Sequence, residues 1–139
     1  MNNNFDKTIR EQRKDAVINT FFETVKKMSA KNPYVTNKEI LAKAIHEEAP
    51  RFFVNYESAR RFISLMARRK KLPVINKNKR AMYAEIYRRY KERCKGEAGH
   101  YKMLEEILEE PAPSFYLDKS TFQGIIYKTL RERHTTTFA

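Results

Sequence analysis

One phrase occurs twice in the chain, and this repetition constrains the fold more than any other feature of the sequence. Residues 49–63 read APRFFVNYESARRFI, and residues 112–126 read APSFYLDKSTFQGII, so the copies lie 63 positions apart. Four of the fifteen positions are identical, and five others keep the chemical role of the side chain. A repeat of this kind indicates two copies of one structural unit that together bury the faces neither could bury alone.

Each copy carries signals that end one helix and begin the next. A residue before proline is kept out of the helical region, so each Ala-Pro pair ends the preceding helix. The aromatic residues that follow favour a short extended run. Asn55 and Asp118 are preferred N-caps, because their side-chain oxygens accept hydrogen bonds from free amides of the next helix. The sequence therefore predicts helices that begin just after these two residues.

Helical periodicity surrounds both phrases. Ala59, Phe62 and Ile63 have the spacing of an apolar helix face, and the second copy keeps this pattern from Phe122 onward. Upstream, NKEILAKAIHEEAP matches HYKMLEEILEEPAP in the same register, and the capping box TNKE begins the first of these helices. A further amphipathic helix precedes each of them. Each half therefore contains three helices.

These patterns predict an all-α fold of about six helices in two pseudo-repeated trihelical halves that resemble helix-turn-helix units. A chain of 139 residues is expected to form a single compact domain. Within it, repeat 1 covers about residues 7–71 and repeat 2 about residues 76–134. Residues 1–6 and 135–139 are predicted to be loose tails.

Positive charge is concentrated in one part of the chain. The net charge is +12, and the segment from Arg60 to Lys95 contains 14 basic residues but only two acidic ones, Glu85 and Glu92. The remainder of the chain has equal numbers of basic and acidic residues. Such a stripe predicts a polyanionic partner, of which nucleic acid is the commonest. A solvated surface that keeps the protein soluble is the alternative.

The third helix of repeat 1 provides most of the candidate contacts. In a helix-turn-helix unit this helix enters the major groove, where arginine can bond guanine or hold a phosphate. Lysines beside it would mainly hold phosphates. The predicted nucleic-acid-binding residues are Arg60, Arg61, Ser64, Arg68, Arg69, Lys70, Lys71, Lys77, Lys79 and Arg80. Duplex DNA is the favoured partner, and structured RNA is the alternative.

The second half is less suited to nucleic acid. Its middle helix carries Glu105, Glu106, Glu109 and Glu110, which would repel phosphate. These acids would either pair with a basic face of another copy or form an ordinary solvated surface. Repeat 2 is therefore predicted to support the fold or to hold a partner, such as a second copy of the chain or another protein.

Aromatic residues are interleaved with basic ones in the helix predicted at residues 78–95. Tyr83, Tyr87 and Tyr90 could stack unpaired bases. We favour a core role for Tyr83 and Tyr90 together with Met82 and Ile86, with the hydroxyls at the rim of the core, because helical spacing explains the pattern fully. The aromatic residues after each Ala-Pro pair are predicted to seal the turn onto the core; they are Phe52, Phe53, Phe115 and Tyr116.

No pattern supports catalysis, a cofactor or a metal. The chain has no phosphate-binding glycine loop and no Gly-x-Ser-x-Gly elbow. Cys94 and the scattered His46, His100 and His134 lack the spacing of a zinc site. The absence of a long apolar run and of a secretory signal predicts no membrane association, and the single cysteine is typical of a reducing cytoplasm. We therefore predict a non-enzymatic cytoplasmic protein.

Three segments together resemble a family. APRFFVNYESARRFISLM, KNKRAMYAEIYRRY and EEPAPSFYLDKSTFQGIIYKTLRER resemble segments of small basic helical proteins of gut Bacteroidales and their phages or mobile elements, over about residues 36–133. The resemblance implies tandem helix-turn-helix-like repeats and a phage or mobile-element context, in the host cytoplasm or a virion. Two functions are then expected as alternatives. The first is DNA binding in transcription control or phage DNA handling. The second is a structural or packaging role in which the basic stripe contacts nucleic acid or an acidic protein without reading sequence.

Overall fold

The structure is a computed structural model that describes residues 8–94 and 101–138. In these residues, all the regular secondary structure consists of six α-helices. The helices are α1 Ile9–Lys31, α2 Asn37–Ala44, α3 Tyr56–Ala67, α4 Lys77–Cys94, α5 Tyr101–Leu108 and α6 Lys119–Phe138. The predicted all-α class is confirmed. Helix α6 extends through residues 135–138, which the sequence placed in a tail, and residues 1–6 lie outside the described ranges. Within those ranges, no helix has the length and apolar character needed to cross a membrane.

Side-chain caps explain where the helices begin. The Asn55 Oδ1 atom accepts a hydrogen bond from the Ser58 amide at 2.8 Å, and the Asp118 Oδ1 atom accepts one from the Thr121 amide at 2.7 Å. Both predicted N-caps are thus confirmed. The backbone hydrogen bond from Thr121 also lowers the pKa of Asp118 from its ordinary value. Thr36 caps α2 in the same way, with its hydroxyl oxygen 3.2 Å from the Glu39 amide nitrogen.

The chain divides into two compact units whose boundaries fall at the two Ala-Pro pairs. Unit 1 consists of residues 1–49 and 113–139, and unit 2 of residues 50–112. In unit 1, α1 packs against α2 and α6. In unit 2, α3 packs against both α4 and α5. Each unit therefore combines the first two helices of one repeat with the third helix of the other.

The predicted grouping of helices is therefore not confirmed. The sequence placed α3 with α1 and α2, as in a helix-turn-helix unit, whereas α2 and α3 belong to different units. After the first Ala-Pro pair the chain makes a tight turn, in which the Val54 amide donates to the Phe52 carbonyl at 3.0 Å. The Phe52 amide donates a hydrogen bond to the Leu108 carbonyl at the end of α5, also at 3.0 Å, and so ties the segment before α3 to α5 of unit 2. The third helices of the two repeats, α3 and α6, are thus exchanged between the units. This exchange of third helices is feasible because both helices present the same apolar pattern.

Unit 2 has a core that includes aromatic residues of α3 and α4. The Phe62 and Tyr83 rings are stacked, with centroids 4.0 Å apart and an interplanar angle of 8°. Phe52 and Ile86 are fully buried beside the apolar face of α5 that includes Leu104. Burial also raises the pKa of the Tyr83 hydroxyl. The prediction that Tyr83 and Phe52 belong to the core is confirmed.

Unit 1 is built around the apolar faces of three helices. Val17 and Ile18 of α1 are buried, as are Leu41 of α2 and Phe122 of α6. The Phe115 ring, from the second copy of the repeated phrase, meets the Phe122 ring edge to face with centroids 5.8 Å apart. This contact confirms that the aromatic residue after the second Ala-Pro pair seals the turn onto the helix that follows.

Candidate nucleic-acid interface

All ten candidate binding residues lie in unit 2, on one continuous stretch of chain. This stretch, residues 60–80, is called the basic segment below. It contains the last two turns of α3, the connection to α4 and the first turn of α4. It has nine Lys and Arg and no acidic residue. All nine cations are exposed, and Ser64 is partly buried. The structure therefore places the cations of two neighbouring helices and their connection on the surface of one compact unit.

Few of these cations are paired with an acidic residue in the part of the chain that the structure describes. Arg60 bonds the Glu57 carboxylate one turn earlier at 3.0 Å, and both side chains are exposed. Arg68 donates from Nε to the Ser64 carbonyl of its own helix at 3.4 Å, and no carboxylate among the described residues pairs with it. Within residues 8–94 and 101–138, Arg60 is the one cation of the basic segment that forms an ion pair.

The second half of α4 behaves differently, although it is just as rich in arginine. The Glu85 carboxylate accepts hydrogen bonds from Arg88 and Arg89, each at 2.8 Å. The Glu110 carboxylate, just after α5, accepts hydrogen bonds from Arg89 at 3.2 Å and from Arg93 at 2.7 Å. Arg89 and Arg93 therefore connect α4 to the segment just after α5. Of the acids expected to meet another copy or solvent, Glu110 pairs within its own chain.

Arg89 is the centre of this network. Besides its two carboxylate partners, it donates to the Pro111 carbonyl at 3.1 Å, and its guanidinium lies over the Phe52 ring, 4.9 Å from the centroid. Its side chain is only 18% exposed. An arginine this enclosed stabilises the fold and is not available to a ligand. The basic stripe seen in the sequence thus separates into an exposed part and a structural part.

The ion network predicts how stability depends on pH. Hydrogen bonds from Arg88, and then from Arg89, lower the pKa of Glu85 from 4.5 to about 2. Because the folded-state pKa lies below the ordinary value, this stabilisation is complete above pH 4.5 and is lost as the pH falls towards 2. We expect Glu85→Gln to lower the free energy of unfolding by about 1–2 kcal/mol at pH 7. The difference from the wild type should shrink below pH 4.5.

Urea unfolding at several pH values measures this effect. Glu92→Gln is the matched control, because Glu92 also bonds Arg88, at 3.1 Å, but is 68% exposed. The control should change stability by less than about 0.5 kcal/mol. Equal effects of the two variants would show that the position of Glu85 between Arg88 and Arg89 has no special importance.

The end of α3 holds an arginine in an unusual backbone conformation. Arg69 has φ of 54°, in the left-handed region that favours glycine. The Lys70 amide donates to the Leu65 carbonyl at 2.9 Å, and the Arg69 amide donates to the Met66 carbonyl at 3.1 Å. These two bonds form a Schellman motif, in which glycine is the usual residue at the position of Arg69. Local stability therefore does not explain why an exposed arginine stands there.

Replacing this arginine tests the strain directly. Arg69→Gly is expected to raise the free energy of unfolding by about 0.5–1 kcal/mol, because glycine adopts the left-handed conformation without steric conflict. Arg69→Ala removes the same charge but keeps a Cβ atom, so it should leave stability nearly unchanged. Chemical unfolding of both variants separates backbone strain from charge repulsion. Stabilisation by both variants to the same extent would attribute the effect to charge.

The start of α4 also carries cations where helix stability disfavours them. Asn76 caps the helix, accepting a hydrogen bond from the Lys79 amide at 2.8 Å. Lys77, Lys79 and Arg80 occupy the first turn, which contains no acidic residue. The positive end of a helix dipole favours acidic side chains, so three cations here oppose it. The charge of this turn is thus better suited to an anionic ligand than to the stability of the isolated helix.

The structure was also searched for clusters of side chains that could bind a metal ion. No group of three or more histidine, cysteine, aspartate or glutamate side chains in residues 8–94 and 101–138 is arranged to hold a metal ion. Cys94 is buried, with its sulfur 3.8 Å from the Met103 sulfur. The side chains of His100 and His134 lie outside the described part.

Sequence reasoning missed two residues of the candidate interface. Pro73 and Val74 lie between the two groups of cations and are exposed, and Val74 has a relative accessibility of 96%. The signal in the sequence is the apolar stretch LPVI between RRKK and KNKR.

No protein-family model matches the chain, and comparisons with curated proteins and with solved structures gave no significant match.

Proposed function

We propose that this chain is a non-enzymatic nucleic-acid-binding protein that holds duplex DNA through the basic segment of unit 2. One observation carries the proposal. The segment presents nine exposed cations and no acid, while the three arginines of the second half of α4 are paired with Glu85, Glu92 and Glu110. Like charges at this density repel one another, and a polyanion relieves the repulsion while releasing its own counterions.

The absence of exposed aromatic residues in the basic segment favours duplex over single strands. Proteins that hold single strands stack the bases on accessible aromatic side chains. Phe62 is the only aromatic residue between Arg60 and Arg80, and it is buried against Tyr83. The segment therefore offers charge to a phosphate backbone but no surface on which unpaired bases would stack. Structured RNA presents a similar backbone and is the second ligand to test.

The alternative is a structural or packaging role with no reading of base sequence. Four consecutive cations, Arg68 to Lys71, lie at the end of α3 and in the turn that follows. Cations placed this way contact phosphates, which fix position but carry no sequence information. The resemblance to proteins of phages and mobile elements agrees with either role. Both would operate in the cytoplasm of the producing or infected cell, and the second also in a virion.

Fluorescence anisotropy titrations test the proposal. A labelled random duplex, a single strand and an RNA hairpin are compared at about 50 mM and about 200 mM salt. If six of the nine cations contact phosphates, log K against log salt should have a slope of about −5, and affinity for the duplex should fall by about 10³ between these concentrations. Absence of duplex binding at low salt would refute the proposal. A specific duplex that binds far more tightly than a random one would eliminate the packaging alternative.

A further inference from the structure

The connection between α3 and α4 has an exposed apolar tip, Pro73–Val74, with cations on both sides of it in the sequence. Val74 is 96% exposed, the highest exposed fraction among the large hydrophobic residues in the described ranges, and Pro73 beside it is also exposed. Their neighbours Leu72 and Ile75 are partly buried, so the two sides of the tip turn back towards the unit. Cations precede the tip at residues 68–71 and follow it at residues 77–80.

Both ends of this connection are fixed by hydrogen bonds. On one side, the Lys70 amide closes the Schellman motif by donating to the Leu65 carbonyl at 2.9 Å. On the other side, Asn76 caps α4, with its carbonyl accepting from the Arg80 amide at 3.0 Å. Proline restricts its own backbone and keeps the preceding residue extended. The connection therefore has fixed ends, and the proline limits the conformations open to the tip between them, which lowers the entropy lost on binding.

We propose that the Pro73–Val74 tip inserts between base pairs of a bound duplex and kinks it; this inference rests on the proposed function. Proteins that bend DNA commonly place an apolar wedge between base steps and hold the backbone on either side with cations. Here the wedge and both groups of cations belong to one short segment of unit 2.

The same features suit a membrane surface less well. A stable interfacial anchor needs a broad apolar face or a lipid chain in addition to basic residues. This tip offers two exposed apolar residues, because Leu72 and Ile75 are partly buried. A narrow wedge fits the gap between two base pairs, whereas it contributes little to membrane insertion. Duplex DNA is therefore the partner that the geometry favours.

Ligase-mediated cyclisation of a random duplex of about 100 bp tests the inference, because such a fragment is shorter than the persistence length of about 150 bp and rarely closes unaided. The wild-type chain is expected to raise the rate of ring closure at least about tenfold, as a kink in the range of roughly 20–90° would do. Val74→Ser should bring closure back to the unbound rate, while anisotropy shows duplex affinity within about threefold of the wild type.

Tyr34→Ser is the matched control, because Tyr34 is an 88% exposed residue in the α1–α2 connection of unit 1. This variant should bend DNA as the wild type does. Both substitutions are at exposed sites, and circular dichroism unfolding confirms that the variants stay folded. Duplex binding without faster ring closure, or ring closure that Val74→Ser leaves unchanged, overturns the wedge but leaves the proposed function intact. No duplex binding overturns both. Val74-dependent binding to phosphatidylserine vesicles without DNA bending would assign the tip to membranes.

Discussion

Replacing Arg61, Arg68 and Lys70 together by alanine is expected to reduce affinity for duplex DNA about 10²–10³-fold at about 50 mM salt. Each of these exposed cations lies in the basic segment, and none has a carboxylate partner in the described ranges. Each is expected to contact about one phosphate and to release about one counterion on binding. The slope of log K against log salt should therefore become shallower by about three. Anisotropy titrations over a series of salt concentrations measure both quantities.

The matched control removes the same amount of charge from the other unit. Lys26, Lys27 and Lys31 are exposed cations of α1 in unit 1. Their replacement by alanine lowers the net charge equally and should change duplex affinity by less than about threefold. Equal losses in both triple variants would mean that net charge alone, and no particular segment, governs binding.

Truncating the buried phenylalanine of each third helix is expected to destabilise the unit in which that helix packs. Phe122 of α6 is 1% exposed in unit 1, and Phe62 of α3 is 8% exposed in unit 2. Either change to alanine should lower the stability of its unit by about 3–5 kcal/mol, because it removes a large apolar contact and leaves a cavity. Amide hydrogen exchange followed by mass spectrometry shows which helices lose protection.

The two variants have opposite expected patterns, which makes each the control for the other. Phe122→Ala should speed exchange in α1 and α2, and Phe62→Ala should speed it in α4 and α5, because these are the helices grouped with α6 and α3 respectively. Faster exchange in α4 and α5 after Phe122→Ala, with α1 unaffected, would mean that the helices group as the sequence repeats do. That result would contradict the exchange of third helices.

The helices themselves could be predicted because local rules determine them. Asn55, Asp118 and Thr36 cap helices where the sequence placed them. The partners of the helices could not be predicted in the same way. Phe62 and Phe122 belong to the similar apolar faces of α3 and α6. By its apolar pattern, either of these helices could pack against α1 and α2 or against α4 and α5. The choice depends on long-range contacts that periodicity does not encode.

The candidate site shows the same division between local and long-range information. The density of cations in residues 60–80 was visible in the sequence, and in the structure all nine of these cations are exposed. Which arginines would be neutralised was not visible, because Glu110 pairs with Arg89 and Arg93 across a long separation in sequence. The left-handed conformation of Arg69 was also hidden, since glycine is the residue that normally marks such a turn.

A residue-level map of the bound surface tests the central claim most directly. Backbone amide chemical shifts of the ¹⁵N-labelled chain are recorded while a short random duplex is added at low salt. We expect the largest shifts between Arg60 and Arg80, with α1 and α6 of unit 1 nearly unchanged. Shifts that concentrate in unit 1, or that do not appear at any duplex concentration, would contradict the assignment of the basic segment as the nucleic-acid interface.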